Sequence, residues 1–87
     1  MTRAKIVEIA NEFLIDEFEV DPADIVLEDN LHETLDLDSL DYVDLVVVIQ
    51  SNFGFKLKAD DFKGVDSFND FYSMLERHLK MHAQENA

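Results

Sequence analysis

The sequence predicts a small all-α protein, a four-helix bundle of three longer helices and one short one. Three observations carry this reading. Apolar residues recur at helical spacing in three separate stretches. Each of those stretches opens on a residue able to cap a helix: Thr2, Asp38 or Ser67. The only glycines, Gly54 and Gly64, fall where helices should stop and not inside them. At 87 residues the chain is long enough for one domain. We expect that domain to fill residues 1–82, with 83–87 a disordered tail and no internal repeat.

Thr2 caps a first helix over about Arg3–Glu17, with Ile6, Val7, Ala10, Phe13 and Leu14 on its apolar face. Asp21-Pro22-Ala23-Asp24 reads as a turn or short helix capped by Asp21, because proline's fixed φ suits the first position. Val26 to Asp36 has no clean period and many acids, so it reads as a long ordered loop. Leu31 and Leu35 should anchor that loop, and Ile25 and Leu27 should tuck its start onto the core.

The second helix is expected over about Ser39–Asn52. Val46-Val47-Val48-Ile49 alone would suggest a buried strand. Three features override that propensity. Asp38 can accept the free N–H groups of a first helical turn. Asp41, three residues on, can act as the acidic partner of a capping box. Two helical rows then run through the stretch, Leu40, Val43, Val47 and Leu45, Ile49, Phe53, so the helix should be buried on much of its girth. Gly54 ends it, and Phe55 and Leu57 lead into a loop. A short helix near Ala59–Lys63 should turn Phe62 inward before Gly64 breaks it. Ser67 with Asp70 forms a second capping box and starts a last helix, about Ser67–Met81. Its apolar face is Phe68, Phe71, Tyr72, Leu75 and Leu79, and Arg77, His78, Lys80 and His82 lie near its end, where cations suit the dipole.

The net charge of −13 argues against nucleic-acid binding, which needs a basic face. From Ile6 to Phe55 there is no lysine or arginine. Most of the acids there read as a solvated surface. Those nearest Ser39 read also as a surface for basic patches on partner proteins. With no cysteine, disulfides, thiolate metal sites and a cysteine nucleophile are excluded, which fits the cytoplasm. No apolar run could span a membrane and no signal peptide opens the chain, so membrane insertion is not expected.

Other motifs do not fit the sequence. A calcium loop from Asp36 fails at its fifth, sixth and twelfth positions, which read Leu40, Asp41 and Val47. Ser39 has no glycine neighbours, so it is not a hydrolase elbow. Two glycines are too few for a phosphate-cradling loop. His32 is a lone loop histidine, more often neither ligand nor base. His78 and His82 stand at i, i+4 but lack a third metal ligand in view.

Asp38-Ser39-Leu40, followed by the apolar helix Val43-Asp44-Leu45-Val46-Val47-Val48-Ile49, then Phe53-Gly54-Phe55, Ala59-Asp60-Asp61-Phe62 and Val65-Asp66-Ser67-Phe68, resembles the acyl carrier protein family. The resemblance runs from about Ile6 to Leu79. It implies a carrier and not an enzyme. By that resemblance a phosphopantetheinyl transferase, using coenzyme A and magnesium, joins 4'-phosphopantetheine to Ser39 by a phosphodiester, and the arm's thiol holds acyl groups as thioesters. A helix N-terminus suits a phosphate ester, since free N–H groups and the macrodipole both favour an anion. Asp38 and Leu40 would complete the motif around the serine.

The resemblance further implies that acyl-processing enzymes with basic docking patches meet the second helix and the loop before it. On that face lie Asp36, Asp38, Leu40, Asp41, Asp44 and Val47. An acyl pocket would be lined by Leu45, Val46, Ile49, Phe62, Val65 and Phe71. The implied protein is a cytoplasmic monomer serving fatty acid, polyketide or related lipid biosynthesis. Three positions depart from the family. Asp36 stands where glycine is common, at a place suited to positive φ. Gln50-Ser51-Asn52 replaces an acidic cluster at the end of the second helix. Phe62 and Phe71 replace small residues, so the pocket should be smaller or differently shaped, as in a specialised carrier. Two rival readings stand beside this one: an unmodified acidic interaction module (an adaptor or nucleic-acid mimic), and a carrier of aminoacyl groups.

Overall fold

The structure is a computed structural model and describes residues 2–36 and 38–85, without the side chains of Ser39, Ala59 and residues 82–85. Four α-helices are present among them: α1 Arg3–Phe18, α2 Leu31–Leu35, α3 Ser39–Phe53 and α4 Phe68–Glu85. Two 3-10 turns, Pro22–Asp24 and Ala59–Phe62, complete the order. The expected all-α bundle of three long helices and a short one is what forms, but the short α-helix is not where it was expected.

The caps explain the boundaries. The Thr2 side chain accepts the Lys5 N–H at 3.2 Å and starts α1. Asp21 accepts the Ala23 N–H at 2.9 Å and starts the first 3-10 turn. Ser67 Oγ accepts the Asp70 N–H at 3.1 Å while the Asp70 carboxylate accepts the Ser67 N–H at 3.2 Å, so the second capping box is reciprocal. The segment expected as a short helix over Ala59–Lys63 is a 3-10 turn, closed by the Asp61 carboxylate accepting the Lys58 N–H at 2.7 Å. Helix α4 continues to Glu85, beyond the expected end near Met81. The tail expected from Ala83 therefore overlaps helix as far as Glu85, and its last two residues lie outside the described ones.

The loop expected over Val26–Asp36 contains α2. Asn30 caps it by accepting the Glu33 N–H at 2.9 Å. Leu31 and Leu35 sit one turn apart on one face, and both are buried. The Leu31 N–H donates to the Asp66 carbonyl at 2.7 Å and the Phe68 N–H to the Asp29 carbonyl at 3.2 Å, which fastens this segment to the start of α4. Ile25 packs against the core as expected, but Leu27 is half exposed and contributes its carbonyl instead, accepting the Asn69 N–H at 3.1 Å.

The core is one cluster. α1 supplies Ile6, Ala10, Phe13 and Leu14, and α4 supplies Phe68, Phe71, Tyr72, Met74 and Leu75. α3 contributes Leu45, Ile49 and Phe53, with Phe53 edge-on to Phe13 at 6.3 Å and stacked on Phe55 at 6.0 Å. Among the described side chains of α3 only that row is buried. The second row, Leu40, Val43 and Val47, faces solvent, so α3 is less enclosed than its composition suggests.

Candidate functional site

The site is built at the elbow between α2 and α3. Asp36 follows α2 with φ 49° and ψ 47°, the left-handed conformation expected for a position where glycine is common. Its N–H donates to the His32 carbonyl at 2.9 Å, closing the short helix. After Leu37, which lies outside the described residues, Asp38 adopts extended backbone and becomes the cap of α3. Asp38 Oδ1 accepts the Asp41 N–H at 3.0 Å, and Asp41 Oδ2 accepts the Asp38 N–H at 3.3 Å. The capping box read from the sequence is thus formed in both directions.

Ser39 is the first helical residue of α3. Its expected surface hydroxyl lies outside the described side chains. Its neighbours are open: Asp38 is exposed and Leu40 is 75% exposed. Along the same helix Val43 is 60% and Val47 56% exposed, an apolar stripe flanked by exposed Asp36, Asp38 and Asp44. Asp41 is half-buried with its carboxylate engaged in the cap. Val43 was not among the docking residues expected from the sequence, although it lies three residues after Leu40 and four before Val47.

A cavity of about 540 Å³ opens beside α3, lined by His32, Tyr42, Val43, Val46, Leu57, Phe62 and Lys63. Of the six residues expected to form a pocket, Val46 and Phe62 line it. Leu45, Ile49, Val65 and Phe71 are instead buried in the core behind it. Sequence reasoning missed His32, Tyr42, Val43, Leu57 and Lys63. Tyr42 could have been found, because it lies three residues after Ser39, on the same face of α3.

His32, set aside as a lone loop histidine, ties three segments together. Its Nε2 lies 2.7 Å from the Val65 carbonyl, and its Nδ1 is hydrogen-bonded to the Tyr42 hydroxyl. The Tyr42 ring sits between His32 at 5.6 Å and Phe62 at 5.8 Å. Burial pushes the Tyr42 hydroxyl above the ordinary tyrosine range, because the phenolate would lose hydration. His78 contacts Asp61 at 3.6 Å and stacks obliquely on Phe55 at 5.5 Å, while the His82 side chain lies outside the described residues. Among the described residues no group of three His, Cys, Asp or Glu converges on a metal position. No helix among them is long and apolar enough to cross a membrane.

Residues 7–75 match the family described as the phosphopantetheine attachment site. The chain is 39% identical over 70 residues to acyl carrier protein 2 of Ralstonia nicotianae, covering 80% of this chain and 86% of the relative. It is 32% identical over 79 residues to the acyl carrier protein of Coprothermobacter proteolyticus, covering 91% and 96%. It is 32% identical over 74 residues to that of Thermosynechococcus vestitus, covering 82% and 91%. The family's prosthetic group is covalently held 4'-phosphopantetheine, and the exposed, doubly capped start of α3 fits such a group. Members are carriers that interact with acyl-processing enzymes and are not themselves enzymes, and nothing in the match favours an unmodified acidic module. With the family profile covering most of the chain and the relatives aligned over nearly their whole length, the protein belongs to the acyl carrier protein family.

Proposed function

We propose that Ser39 carries the 4'-phosphopantetheine arm and that this protein holds acyl intermediates on it as thioesters for fatty acid, polyketide or related lipid biosynthesis. The observation that carries this reading is the place of Ser39. It is the first residue of α3, fixed by the reciprocal Asp38–Asp41 box and flanked by exposed residues. Exposed neighbours on both sides support access by a transferase to this position of the folded chain. The helix N-terminus favours the phosphodiester's negative charge.

The stripe of Leu40, Val43 and Val47 between Asp36, Asp38 and Asp44 supports a docking face for partner enzymes. Apolar contacts hold the complex, while basic patches on the partner meet the acids. Asp41 acts chiefly as part of the cap. The reading is of a cytoplasmic monomer with one carrier domain over residues 1–82, loaded by a phosphopantetheinyl transferase that draws on coenzyme A and magnesium.

The test is intact mass after incubation with a broad-specificity transferase, magnesium and coenzyme A. Wild type is expected to gain one phosphopantetheine and Ser39→Ala none. A gain in Ser39→Ala, or none in wild type beside an active control carrier, would overturn the assignment.

A further inference from the structure

We infer that the cavity beside α3 selects an acyl chain that bears a hydroxyl group. The inference rests on the carrier reading of Ser39 and adds the class of cargo. Ser39, Tyr42, Val43 and Val46 follow one another at i, i+3, i+4 and i+7, so one face of α3 leads from the arm's serine to the cavity. At about 1.5 Å of rise per residue, Val46 lies roughly 10 Å along the axis from Ser39. The walls are mainly apolar: Val43, Val46, Leu57 and Phe62. An alkyl chain suits them. The polar side chains among the lining residues are Tyr42, His32 and Lys63. Lys63 keeps its side chain largely in solvent, with its ammonium 3.2 Å from the Asp60 carboxylate, so it is a hydrated donor and not a buried one.

The hydrogen-bond directions of the other two discriminate between oxygen functions. The Val65 carbonyl can only accept, so His32 Nε2 carries a proton and donates to it across 2.7 Å. With the ring taken as neutral, Nδ1 is then an acceptor, and the Tyr42 hydroxyl donates to it. Tyr42 has spent its only proton. What its oxygen still offers the cavity is lone pairs. A hydroxyl on the cargo can donate to that oxygen. A keto group on the same carbon cannot, and a saturated chain leaves the oxygen without the bond. The ring is held between His32 and Phe62, so the acceptor is pre-positioned.

The experiment loads the full chain with arms bearing a saturated medium-length acyl group, its β-hydroxy form or its β-keto form. Intact mass verifies each. The rate of thioester cleavage by hydroxylamine is divided into that of the same acyl group on free pantetheine, giving a protection factor. One added hydrogen bond should raise the protection of the β-hydroxyacyl group about fivefold over the saturated one. The β-ketoacyl group should gain nothing. In Tyr42→Phe the hydroxy-to-saturated ratio should fall to one. In His32→Leu the freed Tyr42 proton should raise β-ketoacyl protection instead. Equal protection of hydroxy and saturated chains in wild type would overturn the inference, and so would a ratio unchanged in Tyr42→Phe. Nitrogen NMR of wild type gives a check that needs no variant: a proton on His32 Nδ1, in the neutral or the doubly protonated ring, would also overturn it. Failure of arm uptake would show instead that the carrier reading of Ser39 is wrong, and the cargo inference would fall with it.

Discussion

Asp36 holds the turn between α2 and α3 in a left-handed conformation, and a substitution series there tests the account of the elbow. It is held at φ 49° by a closed bond from its own N–H to the His32 carbonyl. Leu35 beside it is buried. The chain cannot relax to negative φ without opening α2 or withdrawing Leu35. The left-handed conformation costs a residue with a Cβ about 1–2 kcal/mol. Glycine avoids that cost but gives back about 0.5–1 kcal/mol through the greater freedom of its unfolded chain. Glycine should therefore exceed alanine at this site by about 0.5–1 kcal/mol. For a domain of this size that is roughly 3–6 °C in Tm.

Charge must be separated from conformation, because Asp36 adds an anion to the C-terminal end of α2. Asp36→Asn removes the charge and keeps the short side chain that tolerates positive φ. Thermal melts by circular dichroism should rank the neutral variants Asp36→Gly at the top, Asp36→Asn next and Asp36→Ala last. If Asp36→Ala melted as high as Asp36→Gly, the left-handed backbone would carry no cost and the reasoning would fail. Rescue of Asp36→Ala by salt would instead implicate charge.

Two further predictions concern pH. Hydrogen bonds from the Ser67 and Asp66 N–H groups hold the Asp70 carboxyl below the usual carboxylate range. A depressed native pKa gives stability that is present above the unfolded value and lost as pH falls through the folded one. Melts of wild type and Asp70→Asn should differ most near neutrality and converge on acidification, and a constant gap would refute the role of the ionised carboxylate. Burial raises both tyrosines, with the Asn11 hydrogen bond and Arg3 partly opposing the effect at Tyr72. Because the chain has two tyrosines and no tryptophan, tyrosinate absorbance reads both without interference. Its native midpoint should lie above the ordinary value of about 10 and return to it in urea. The sign is opposite to that of Asp70: this stability is present below the unfolded pKa and lost as pH rises through the folded one. A native titration at the ordinary value would refute the burial.

Local chemistry made much of this fold legible. The Asp38–Asp41 and Ser67–Asp70 boxes each link residues three apart, and Gly54 stands at the end of α3 with φ 83°. Each could be read without knowing what lay across the molecule. α2 could not. Five residues are too few to show a helical period, and its stability comes from Leu31 and Leu35 in a core made largely by other segments. The same limit hid the pocket. Leu45 and Ile49 look as apolar in sequence as Val43 and Val47, but which row of α3 turns inward is decided by where α1 and α4 pack. The role of His32 was hidden because Tyr42 lies ten residues away and Val65 thirty-three.

These long-range bonds bear on how a carrier presents its arm. A serine at the start of a helix would be only as well placed as the loop that delivers it. Here that loop is fixed to the segment that begins α4. The Leu31 N–H reaches the Asp66 carbonyl, His32 reaches the Val65 carbonyl, and Asn30 pairs with Ser67. Ser67 in turn caps α4, whose Phe68, Phe71 and Leu75 are fully buried. The start of α3 is thereby referenced to the core through two routes, its own Leu45 row and the α2 segment. Exposure of Leu40, Val43 and Val47 costs the fold apolar burial on one face of α3. The second route offsets that loss, so the helix can keep an apolar face open to partners while its first turn stays in place.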